Sequence, residues 1–77
     1  MLKAFVLIET STGTSPRLVS LLKATQEVQS VYRVTGPHDI IAIIEVADLE
    51  ALGTWLADKV HPLPGVQKTV TCVAVSQ

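Results

Sequence analysis

Hydrophobic positions along the chain switch repeatedly between the alternating period of a strand and the wider period of a helix. Leu2 to Ile8 reads as a first strand, apolar on both parities: Leu2, Ala4, Val6 and Ile8 on one face, Phe5 and Leu7 on the other. A strand apolar on both faces needs cover on both. Ser11-Thr12-Gly13-Thr14 forms a polar turn cluster, and Ser15-Pro16 reads as an N-cap followed by proline at the first helical position. Leu18, Val19, Leu21 and Leu22 then recur at helical spacing, predicting a helix to about Gln26. Val28 to Thr35 predicts a second strand, broken by Gly36-Pro37, and Asp39 to Val46 a third; so short a break predicts an antiparallel hairpin. Asp48 is placed to cap a second helix whose apolar stripe is Leu49, Leu52, Leu56 and Val60, with Trp55 flanking. Gly53 lies inside it, where glycine costs about 1 kcal/mol relative to alanine, and so suggests close helix packing. His61-Pro62-Leu63-Pro64-Gly65 ends the helix, and Val66 to Val75 is the fourth strand.

The order β-α-β-β-α-β predicts an α+β, ferredoxin-like fold: a four-stranded antiparallel sheet with two helices on one face. The other face then lies open in a single subunit. Phe5, Leu7 and several isoleucines and valines must meet a second sheet, which predicts face-to-face pairing into a dimer. Length supports this. A domain of 77 residues is one unit, and its core alone supplies only roughly 3–5 kcal/mol, so self-association is a common supplement. With 48% of residues apolar, so small a domain has trouble hiding them all.

Charge narrows the partners. The net charge is −1, and the six bases (Lys3, Arg17, Lys23, Arg33, Lys59, Lys68) are scattered singly, so no basic stripe is available to neutralise phosphates. Direct nucleic-acid binding is not expected. The single cysteine, Cys72, excludes an internal disulfide and reads as a small core hydrophobe in a reducing compartment. Polar Glu9-Thr10-Ser11-Thr12 cuts the first apolar run too short for a signal peptide, and no run reaches membrane-spanning length. A cytoplasmic location is therefore expected.

Few residues suggest chemistry. His38-Asp39 is the only His–carboxylate neighbour pair, but adjacent strand residues point to opposite faces, and no serine or cysteine nucleophile lies nearby in sequence. A turn residue plus a strand-start cap is the plainer reading, with ligand binding by Asp39 and nearby backbone amides beside it. His61, in a proline-rich connection, reads as solvated. Two distant histidines and one cysteine match no metal-ligand spacing, and no cofactor is implied. Ser11 to Ser15 lacks a phosphate-loop pattern and reads as a plain turn. Thr69 and Thr71 share one face of the last strand, where paired hydroxyls can hold a small polar ligand.

Two segments together carry a resemblance. Thr35-Gly36-Pro37-His38-Asp39-Ile40 and Leu63-Pro64-Gly65-Val66-Gln67-Lys68-Thr69-Val70-Thr71 resemble the two signature segments of the effector-binding (RAM) domain of Lrp/AsnC regulators of bacteria and archaea. The likeness covers essentially the whole chain. It implies a domain that dimerises through its sheets, assembles into rings and binds small effectors, chiefly amino acids, between dimers. Carried onto this sequence, it implies a site of Gly36, His38 and Asp39 on one side and Thr69 and Thr71 on the other. Asp39 would face the effector's ammonium and backbone amides near Gly36 its carboxylate. Pro37 has no N–H to donate, and His38 stands where the family often has another aromatic. Members usually carry an N-terminal helix-turn-helix; residues 1–77 read as a single stand-alone domain without one.

The leading expectation is therefore an amino-acid sensor, not an enzyme, that is homo-oligomeric and modulates a full-length regulator of the family by mixed assembly. Two alternatives remain: a small dimeric enzyme of monooxygenase or isomerase type, and an assembly domain with no ligand. The enzyme class needs several convergent histidines, tyrosines or arginines, whereas here one tyrosine, two histidines and two arginines are spread widely. An ACT-type amino-acid-binding domain shares the strand order but lacks the Leu-Pro-Gly-Val-x-x-Thr-x-Thr ending.

Overall fold

The structure, a computed structural model, describes residues 1–76. Strand β1 (Leu2–Thr10) leads into helix α1 (Ser15–Lys23), then strands β2 (Val28–Arg33) and β3 (Ile40–Val46), helix α2 (Leu49–Trp55) with a π-helical last turn (Leu56–Val60), and β4 (Val66–Val73). The sheet order is β2-β3-β1-β4, and each neighbouring pair is antiparallel. The predicted ferredoxin-like topology is the one adopted.

Alternation along the strands sorts the side chains. Ala4, Val6 and Ile8 of β1 and Ile40, Ala42, Ile44 and Val46 of β3 are buried on one face, joined by Val31 of β2. Leu18 and Leu22 of α1, with Leu52, Trp55 and Val60 from the second helical segment, close the same core, so both helices cover one face of the sheet. Fully burying a leucine or isoleucine contributes about 1.5–3 kcal/mol, and this single layer is where the subunit's stability resides.

The opposite face is uncovered. Cross-strand partners Phe5 and Ile43, Leu7 and Ile41, and Tyr32 and Ile41 line it, with Val70 opposite Leu7 and Cys72 opposite Phe5. Cys72 is exposed there, which corrects its assignment to the core: it shares the parity of Lys68 and Val70, not that of Thr69 and Thr71. Facing pairs Lys3–Glu45 and Glu9–Lys68 border the apolar patch at its two ends.

Four local expectations also change. Thr14, not Ser15, is the N-cap of α1, and its hydroxyl donates backward to the Ser11 carbonyl (2.7 Å) instead of capping. The helix stops at Lys23, because the Thr25 N–H and hydroxyl both donate to the Leu22 carbonyl (3.0 Å each) and tighten the last turn. Asp48 caps α2 as expected, accepting the Ala51 N–H at 2.8 Å. The stripe behind it is rotated, however: Leu49 is 65% exposed while Trp55 is only 3% exposed. Gly53 makes no close approach, since a Cβ there would meet nothing within 4 Å.

Candidate functional site

Three connections gather at one end of the sheet: Ser11–Thr14 after β1, Val34–Asp39 between β2 and β3, and His61–Gly65 before β4. Antiparallel order forces this, because β1 ends where β3 and β4 begin. The first and third connections are locked together. The Ser11 N–H donates to the Gly65 carbonyl (2.8 Å), and Gly65, at φ +95°, packs so closely on Thr14 that a Cβ would lie 2.8 Å from its Oγ1. The Ser11 and Thr14 hydroxyls donate to the Gly65 and Ser11 carbonyls, and Ser15 Oγ lies 3.3 Å from Thr10 Oγ1.

Asp39 ties the second connection to the first strand. Its Oδ2 accepts the Thr10 N–H at 2.8 Å, on the β3 side of β1 two residues past the Ile8–Ile40 pair. Its N–H donates to the Ile8 carbonyl (2.9 Å), and its carbonyl accepts the Val34 N–H (2.9 Å). The carboxylate satisfies an N–H of β1 just beyond the last β1–β3 pair, Ile8–Ile40, so this residue is structural whatever else it does. Its Oδ1 accepts no hydrogen bond among the described residues. Gly36 sits at φ +129°, a backbone conformation only glycine adopts without strain, in the exposed turn. His38 is half-buried beside it.

Thr69 and Thr71 lie across β1. They pair with Ile8 and Val6, and so point to the helix-covered face at the β4 edge, both half-buried. Ile8 pairs with Ile40 on its other side, so Thr69 and the start of β3 are two strand spacings apart, roughly 9–10 Å. One subunit brings the two halves of the predicted site to the same end of the sheet but not into contact. His61, read from the sequence as solvated, has a partner: its Nε2 is 3.5 Å from Thr69 Oγ1. Sequence periodicity hides this contact, since it depends on the π-helical turn closed by the His61 N–H on the Leu56 carbonyl (2.9 Å).

The grooves of the single subunit lie elsewhere. One of about 480 Å³ runs beside α2, where Glu27, Asp48, Glu50 and Asp58 surround Trp55. Another opens on the uncovered face beside Lys3, Phe5 and Glu45. Neither is lined by Gly36, His38, Asp39, Thr69 or Thr71. Among the described residues no group of three or more His, Cys, Asp or Glu could hold a metal ion. No helix among them is long and apolar enough to cross a membrane.

The class the structure defines is a small α+β domain with a ferredoxin-like sheet, one face covered by helices and the other open and apolar. The chain belongs to the Lrp/AsnC ligand binding domain family, whose profile matches residues 3–77. The HTH-type transcriptional regulator FL11 of Pyrococcus abyssi is 32% identical over 72 residues, covering 94% of this chain and 47% of that one. The chain spans about half the length of the curated relatives it matches along most of its own length, and these are transcriptional regulators, not enzymes. Among solved structures, TTHA0845 from Thermus thermophilus superposes with a TM-score of 0.95 at 32% identity, covering all of this chain and 96% of that one. The transcriptional regulator NMB0573 of Neisseria meningitidis, solved as a complex with L-Met, shares the fold (TM-score 0.89, 20% identity, 99% of this chain and 51% of that one).

Proposed function

We propose that this chain is a cytoplasmic amino-acid sensor of the Lrp/AsnC type that works as a homo-oligomer. The site is completed between subunits: the Gly36 turn, His38 and Asp39 of one meet Thr69 and Thr71 of another. The observation that carries this is the separation within one subunit, with β1 lying between two half-sites at the same sheet end. β1 stands between the two half-sites of one subunit, whereas a second subunit brought against this end can face one half-site with the other directly. Asp39 Oδ1 is the acceptor left for an ammonium, and a charge-assisted bond there is stronger than a neutral one. The open face with its bordering charge pairs supplies the dimer contact, an apolar centre within a polar rim. The L-Met complex of the Neisseria regulator favours an amino acid as effector.

Residues 1–77 act in this reading as one ligand-binding domain and influence transcription by assembling with a full-length regulator. The test is a thermal-shift screen against the twenty proteinogenic amino acids, run alongside light scattering. A ligand bound only by the folded oligomer raises its melting temperature by mass action, about 2.7 kcal/mol at a hundredfold excess over Kd. A monomer mass removes the proposal, and an oligomer with no response to any amino acid removes it in favour of a ligand-free assembly domain.

A further inference from the structure

The geometry points to His61 as a further binding residue of this site, the one that receives the effector's α-carboxylate together with Thr69 and Thr71. The inference rests on the amino-acid reading above and extends it to a residue that no sequence signature marks. The π-helical turn Leu56–Val60 holds one residue more than an α-helical turn would. That extra residue rotates the chain beyond it by roughly 100° relative to an α-helical continuation. Helices tolerate such turns mostly where a side chain must be re-aimed, and here the result is an imidazole beside Thr69, Nε2 to Oγ1 3.5 Å.

A count of protons gives the chemistry. A neutral imidazole and a hydroxyl carry one N–H and one O–H between them, and a bond between the two uses one. Whichever tautomer is present, one donor remains for a third group. Thr71 adds a second hydroxyl two residues on, along the same face. Lys68 and Val70 point to the other face, so the cluster presents donors without a fixed positive charge. Such a set suits a monoanionic carboxylate better than a phosphate dianion, which calls for lysine or arginine. It also answers a need left by Pro37, whose lack of an N–H removes one donor from the opposite half-site.

Calorimetry on the full chain tests this with the twenty proteinogenic L-amino acids, one at a time, then with the decarboxylated amine of whichever binds tightest. His61→Ala is expected to weaken the amino acid by roughly ten- to a hundredfold, the loss of a hydrogen bond to a charged group. His61→Gln, which keeps a donor, is expected to recover most of that. The amine is expected to bind wild type and His61→Ala equally weakly. His61 is exposed, so the variants are expected to keep the wild-type melting temperature. Equal affinity of wild type and His61→Ala for the amino acid overturns the inference and leaves the site reading standing. An equal loss for acid and amine overturns the carboxylate assignment. No binding of any amino acid by wild type overturns the site reading and this inference together.

Discussion

The Asp39 carboxylate holds the Thr10 N–H beside the start of β3, so truncation strips a partner from a half-buried donor. Asp39→Ala is expected to lower stability by about 1–3 kcal/mol in urea denaturation. Asp39→Asn keeps an oxygen for Thr10 and is expected to lose clearly less, while still losing the charge an ammonium would need. The pair therefore separates the structural role from a binding role, which the alanine variant alone cannot do. Gly65 makes a second residue-scale case. Its φ of +95° and the 2.8 Å approach to Thr14 Oγ1 leave no room for a methyl group. Gly65→Ala is expected to cost roughly 1–3 kcal/mol, read as a lower urea midpoint.

At the scale of elements, glycine has the opposite sign in α2. Gly53 has open space where a Cβ would go, so Gly53→Ala is expected to raise stability by about 0.5–1 kcal/mol without altering the slope of the urea transition. The sequence pattern located all six main elements, because both strand alternation and capping are local signals: Ala4, Val6 and Ile8 declare a buried face, and Asp48 declares a helix start. It misplaced what depends on nonlocal geometry. Trp55 and Leu49 exchange the roles that a regular helical stripe assigns them, and the π turn behind Trp55 brings His61 to Thr69. The side on which Cys72 falls follows from parity with Lys68 and Val70, which was available in the sequence but outweighed by the apolar residues around it. Of the site, the two glycine turns and the threonine pair were legible as motifs. Their separation across β1 was not, since strand order is set by pairing between distant segments.

For the molecule as a whole, the decisive surface is the uncovered sheet face. Phe5 and Leu7 stand at its centre on β1, flanked by Ile43 and Ile41. Phe5→Asp places a charge in the middle of this apolar patch and is expected to shift the light-scattering mass at micromolar concentration from oligomer to monomer. Cys72 gives an independent reading of the same surface, because it sits opposite Phe5 and is exposed in the single subunit. Maleimide labelling of Cys72 is expected to be slow in the wild-type oligomer and at least tenfold faster in Phe5→Asp. Fast labelling of a wild-type dimer would move the contact to another face.

The pairing of Ala4 with Val73, extended by the Ala74 N–H on the Lys3 carbonyl (2.9 Å), brings the two extremities of the sheet's strand path side by side at the end opposite the glycine turns. Neighbouring strands are about 4.8 Å apart, so a few glycine and serine residues suffice to splice the last residues to the first. The backbone path from Leu2 to Val73 thus starts and finishes on neighbouring strands at one sheet end. A permuted gene that fuses these extremities and opens the chain at the exposed Thr12-Gly13 tip should yield the same sheet, with new ends beside the turns.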